Sequence, residues 1–214
     1  MQKTELKQTA IWFGICVVTF LVSMFLHEAG HGMAYWVNGY SVSTGFNTVG
    51  NVHMFPSDLG FRPVIASDFL LDFGLPLTWL LAIMFTIMLP TKKEVNKYVV
   101  QVIAALAFGN AILRLVPSAL TIIMPIITGE AHIEDEIGAG RFLAEQHGIG
   151  WLVAIPLIVT LIISLTCYIV TERKTQKIQP LIIKWKTLSL WLAFWVAFGI
   201  ANLLDNFIRI NWIA

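Results

Sequence analysis

The sequence predicts an all-α polytopic membrane protein with about five transmembrane helices and a membrane-associated hairpin loop after the first. Three observations predict it. Hydrophobic residues fill 57% of the 214 positions and charged residues only 13%, about half the charge of an ordinary soluble domain. The shortfall is organised: apolar blocks alternate with short charged links, as in a chain that crosses a bilayer repeatedly. Lysine and arginine collect on alternate links. The formal net charge of +1 gives no footing for a nucleic-acid partner. Cys16 and Cys167 both lie inside apolar blocks and imply neither a disulfide framework nor a thiolate metal cluster.

Five blocks, roughly 10–37, 68–90, 98–127, 148–170 and 187–210, reach the ~20 residues needed to cross about 30 Å of hydrocarbon. The first is too long for a signal peptide, lacks a small-residue cleavage site and carries polar groups, so it is expected to be retained. Residues 38–67 are rich in Gly, Ser, Thr and Asn and alternate in "GYSVSTGFNTVGNVHMF", which predicts a hairpin or a loop lying on the membrane. Residues 128–147, "GEAHIEDEIGAGRFLAEQHG", form an acidic link, helical over 133–146. The whole of 1–214 reads as a single domain, with a core over 10–170 and an extra C-terminal helix over 187–210.

Charge bias sets the orientation. Lys3, Lys7, Lys92, Lys93, Lys97, Arg173, Lys174, Lys177, Lys184 and Lys186 fall on one side; Arg62, Arg141 and Arg209 fall on the other. The lipid bilayer is thus the expected partner of a multi-pass chain in the cell membrane, its N-terminus cytoplasmic and its C-terminus outside. Trp12, Trp36, Trp151, Trp185, Trp191 and Trp212 lie near the ends of these blocks, where aromatic belts form.

The chemistry sits in "FLHEAGHGMAYW", residues 25–36. His27, Glu28 and His31 make H-E-x-x-H. On a helix, residues four apart share a face, so two imidazoles can bind one metal ion. Glu28, beside the first, can then take a proton from an attacking water. Ionisable groups within a span are costly and persist when they pair or bind something. A chance match on a packed helix is the plainer reading, and the intramembrane position makes it rarer.

Two histidines leave zinc short of a protein ligand. Ala34 and Val37 occupy the positions of a third histidine in H-E-x-x-H-x-x-G-x-x-H, and the next glutamate, Glu94, falls on the cytoplasmic side. The remaining candidates are His53 and the cluster His132, Glu134, Asp135 and Glu136. His27 lies eighteen residues after Thr9, about 27 Å along a helix. Motif and acidic link therefore fall in the same outer half of the membrane.

At these residues the sequence resembles the site-2 protease family of intramembrane zinc metalloproteases. "FLHEAGHGMAYW" is similar to the family's membrane-embedded H-E-x-x-H helix. "FGLPLTWLL" at 73–81 is similar to the glycine-proline stretch that opens the next core helix. "LVPSAL" at 115–120, followed by "EDEIGAGRFL" at 134–143, resembles the family's asparagine-leucine-x-proline stretch and its aspartate-glycine motif. The resemblance covers about residues 10–170. It implies Asp135 as the third zinc ligand beside His27 and His31, Glu28 as the catalytic base, Zn²⁺ as cofactor, and a transmembrane or membrane-anchored protein as substrate. The chain departs from the pattern in its outward-facing catalytic side, where many relatives work near the cytoplasmic side, and in three further ways. Glu136 replaces the glycine after the aspartate, an insertion spans 121–133, and there is no room for the PDZ domain many relatives carry.

Among the remaining polar residues, Asn110 is expected to make an interhelical hydrogen bond, the alternative being a donor to the substrate backbone or oxyanion, and Arg114 to neutralise an acidic neighbour such as Asp68 or Asp72. His53 reads as a loop histidine, and His132 and His147 as solvent-facing. Asp205 and Asn206 read as structural residues near water at the outer end of the last block. Gly30 and Gly32 suit a close helix approach. A transporter or sensor that merely binds metal has no need of Glu28, and a transporter would spread polarity over several broken helices. A scaffold that binds transmembrane segments without cutting them is the third alternative.

Overall fold

The computed structural model describes residues 3–64, 73–91, 95–130, 134–178 and 186–214. The chain runs α1 (Lys3–Val37), β1 (Val42–Thr44), β2 (Val49–Gly50), α2 (Gly74–Met88), α3 (Lys97–Thr128), α4 (Asp135–His147), a 3₁₀ turn (Gly150–Ala154), α5 (Ile155–Lys177), α6 (Lys186–Leu204) and β3 (Ile210–Trp212). Among the described residues, four helical stretches are long and apolar enough to cross a membrane: Glu5–Val37, Lys97–Thr128, Gly150–Lys177 and Thr187–Leu204. The second expected block, 68–90, holds α2 with 15 residues, about 22 Å of helix; its residues 68–72 lie outside the described ones.

Helix α1 is the hub, packed against α2, α3 and α6. Its buried Trp12, Phe20 and Met24 join Val100, Phe108 and Ile112 of α3 and Phe194 of α6. Trp12 is fully buried in that core, so it is a packing residue and not part of an aromatic belt. Ala193, Ala197 and Ala201 are all fully buried on α6. Small residues every four positions let two helix backbones approach, which is how helices associate where no hydrophobic effect separates them from lipid. The opposite faces carry exposed Val18, Ile126, Ile162 and Leu192, a surface suited to acyl chains.

Helix α5 uses small polar side chains instead. Thr160, Ser164, Thr171 and Thr175 are buried on one stripe. Trp79 donates to Thr160 at 3.1 Å, and Thr86 and Thr171 share a hydrogen bond of 3.1 Å. Lys174 reaches the C-terminal carbonyls of α2, at 2.7 Å from Thr86 O and 3.3 Å from Leu89 O. That satisfies acceptors that the helix end leaves unpaired.

The loop after α1 contains the expected hairpin, with β1 antiparallel to β2 in the register Thr44↔Val49. Its other edge pairs with β3, Thr44↔Ile210, giving a sheet in the order β2-β1-β3. The block expected over 187–210 therefore ends as helix at Leu204, and its last residues turn back as a strand. The acidic link is helical as expected, over Asp135–His147.

Candidate metal centre

The site forms where α1, α2, α3 and the start of α4 meet. His27 and His31 lie one turn apart near the end of α1, both buried. Asp135 is the first residue of α4, 108 positions after His27 in sequence. The fold brings three donor atoms together. His27 Nε2 lies 3.0 Å from Asp135 Oδ2, His31 Nε2 lies 3.2 Å from His27 Nε2, and His31 Nε2 lies 3.5 Å from Asp135 Oδ2. With ligand bonds of about 2.0–2.1 Å, two corners of a tetrahedron are about 3.3–3.4 Å apart. The three separations bracket that edge.

Proton bookkeeping on His27 makes the same point. Thr78 Oγ1 donates its single proton to Gly74 O at 2.8 Å. The 3.0 Å contact between Thr78 Oγ1 and His27 Nδ1 must then be donated by the imidazole. The ring thus carries its proton on Nδ1 and presents the Nε2 lone pair. At 3.0 Å that lone pair faces a carboxylate oxygen, and Arg114 Nη1, 2.8 Å from His27 Nε2 and 2.9 Å from Asp135 Oδ2, donates to both acceptors. Burial alone raises the Asp135 carboxyl; the neighbouring His31, His27 and Arg114 outweigh it and hold the group well below the ordinary carboxylate range. Asp135 is therefore an ionised donor. His27, His31 and Asp135 form the one group of metal-ligating side chains of this kind found among the described residues.

Glycine makes room for the cluster. A Cβ on Gly74 would lie 2.5 Å from His31 Nε2, closer than real side chains come. A Cβ on Gly30 would sit 3.0 Å from Gly74 Cα, so the α1–α2 crossing needs both. Gly32 has a different neighbour from the one expected, facing Trp212 and Thr44 of the sheet. Gly74→Ala is expected to push the His31 ring aside and weaken metal binding by about 10–100-fold, the usual cost of disturbing a ligand's support. Competition with a chelator of known affinity measures this, and an unchanged affinity would show that His31 is free to move.

No family model matches the chain. No curated protein and no solved structure matches it either. The likeness to site-2 proteases therefore rests on the motif residues themselves.

The other candidates fall into place around the cluster. Glu28 lines a cavity of about 420 Å³ together with His27, His31 and Asp135. Glu134 lines the same cavity but is not part of the donor group. Glu136 is fully buried on the other side, 3.3 Å from Arg114 Nε and 3.2 Å from Ser118 Oγ. Burial pushes its carboxyl up, against the pull of Arg114. His53 is exposed, sits at a positive φ of 62° and bonds Asn211 at 3.0 Å, so it takes no part. His147 is exposed, and His132 lies outside the described residues.

Arg114 has acidic partners, as expected, and one expectation, that for Asn110, is corrected. Arg114 pairs with Asp135 at 2.9 Å and with Glu136 at 3.3 Å; Asp68 and Asp72, its expected partners, lie outside the described residues. Asn110 donates to Leu106 O of its own helix at 2.9 Å, not to a neighbouring helix. Thr78 went unremarked in the sequence, although a hydroxyl four residues after Gly74, one of two in an apolar helix, was its signal. The stretch from Leu113 to Leu120 lines the cavity at Pro117, which has no N–H to bond Leu113 O and so loosens α3 beside the site.

Proposed function

We propose that the chain is a multi-pass membrane metallohydrolase that cuts peptide bonds of membrane-embedded or membrane-anchored substrates. The convergence of His27, His31 and Asp135 on one point, with Glu28 in the same cavity, carries this reading. Two imidazoles and one carboxylate suit zinc. When bound, zinc supplies a Lewis acid that polarises the scissile carbonyl and acidifies water.

The chain's own residues supply the rest. Thr78 fixes the His27 tautomer and ring orientation. Glu28 takes the proton of the attacking water and then delivers it to the leaving amine. Met24, Val116, Leu120, Phe194, Trp195 and Phe198 give the cavity apolar lining, and Asn47 and Thr48 of the hairpin also border it. A segment leaving the bilayer would meet a largely apolar lining beside the metal donors. A helix in lipid must satisfy its amides before it can be unwound and cut. In this reading the N-terminus is cytoplasmic and the site lies toward the outer face of the cell membrane.

Bound metal tests the centre directly. The detergent-purified wild type is expected to hold about one zinc per chain by elemental mass spectrometry, and His27→Ala and Asp135→Ala to lose it, since a three-ligand site cannot spare one. Zinc retained in the aspartate variant would remove Asp135 from the site. A folded wild type without zinc would sink the hydrolase reading.

A further inference from the structure

The donor atoms of the centre have a second claimant. Arg114 Nη1 lies 2.8 Å from His27 Nε2 and 2.9 Å from Asp135 Oδ2. These are two of the three atoms that would hold the metal. The single lone pair of His27 Nε2 serves a guanidinium N–H or a metal ion, not both. Arg114 is itself buried, and Coulomb repulsion between a guanidinium and a divalent ion on one pair of donors is strong at such depth.

A second seat is built beside the first. Arg114 Nε is already 3.3 Å from Glu136 Oε1. Glu136 is fully buried, and its Oε2 has no hydrogen-bond partner among the described residues. A buried carboxylate oxygen left unpaired is rare and calls for a reason. Ser118 holds the other oxygen at 3.2 Å, so the carboxylate is fixed with one acceptor to spare. Two carboxyl groups thus face this one guanidinium, Asp135 on one side and Glu136 on the other.

We infer that Arg114 is a positioning residue with two seats: on His27 and Asp135, where it shuts out the metal, and on Glu136, to which an incoming metal displaces it. The inference rests on the metal site proposed above. It makes metal loading a competition within the protein. The fork of the guanidinium lets one side chain keep Nε near Glu136 while Nη1 changes partner, which a lysine cannot do.

The test is a Zn²⁺ titration of the full-length, detergent-solubilised, metal-stripped protein against a fluorescent chelator of known affinity. R114Q removes the competitor and is expected to bind zinc about 10–100-fold more tightly, as when a blocked state of 90–99% is released. E136Q removes the second seat's charge and is expected to bind about tenfold more weakly. The double variant R114Q/E136Q withdraws both buried charges together, so it keeps the charge balance if either single variant misfolds. It is expected to bind at least as tightly as R114Q.

Weaker zinc binding in both R114Q and the double variant would overturn the inference, since Arg114 would then be a support for Asp135. Equal affinity in wild type and all variants would overturn it as well, while leaving the metal site standing. No zinc in a folded wild type and a folded double variant would overturn the site and the inference together.

Discussion

Glu28→Gln is expected to lower hydrolysis by about 10²–10⁴-fold, the usual contribution of a positioned base, while bound zinc and thermal stability stay at wild-type levels. Glutamine keeps the size and hydrogen-bonding ability of the side chain but cannot take a proton at neutral pH. Glu28 is not one of the three donors, so its replacement separates chemistry from metal binding, which His27→Ala cannot do. The assay incubates reconstituted protein with a mixture of tagged single-span membrane proteins and detects new peptide ends by mass spectrometry. Products that form at equal rates with wild type and E28Q would leave Glu28 without a catalytic role. A transporter, a sensor or an inactive scaffold would show no E28Q-sensitive products, whatever its metal content.

Legibility from the sequence followed physical range. The pairing of His27 with His31 was readable because a helix fixes the relation of residues four apart, and α1 is one unbroken helix through both. Asp135 is far away in sequence; its place came from the motif resemblance, and only the fold, with α4 packed on α5 and the 3₁₀ turn, puts Oδ2 within 3.5 Å of both rings. That Arg114 would neutralise an acidic side chain was legible, but which one was not. A sequence supplies an inventory of charges but not the face of α3 from which a guanidinium projects; it meets Asp135 and Glu136, while Asp68 and Asp72 lie outside the described residues. Glu136, read as a departure from a glycine and as a candidate third ligand, turns out to pair with Arg114 instead. The strand β3 was hidden because Ile210–Trp212 continues the apolar character of α6. Nothing local announces that those residues will pair with β1 some 166 positions earlier.

That strand belongs to a clasp with a large expected effect of its own. Asp205, expected near water, is 1% exposed. Its carboxylate accepts from Phe46 N, from Asn47 N at 3.2 Å and from Thr48 Oγ1 at 2.8 Å. Arg209, one turn on, donates to Ser43 O at 2.9 Å and to Thr48 O at 2.8 Å. Between them the two residues tie down the turn over 43–48, and that turn supplies Asn47 and Thr48 to the cavity wall. Asp205→Ala would leave two half-buried amides and a hydroxyl without their acceptor and would remove the carboxylate 3.9 Å from the Arg209 guanidinium. Removing one partner of such a buried network costs about 3–5 kcal/mol, which is on the order of 10 °C in melting temperature for a chain of this size. Asp205→Asn keeps one acceptor oxygen and should lose less. The metal donors lie on α1 and α4 and not on the clasp, so D205A is expected to keep its zinc while losing hydrolysis as the cavity wall loosens. Thermal denaturation in detergent and zinc content check this together. A melting temperature within about 2 °C of wild type, less than the shift expected for 1 kcal/mol, would show that the turn stands without Asp205. Zinc lost along with stability would show instead that the clasp supports the whole centre, not only the wall where substrate is expected to lie.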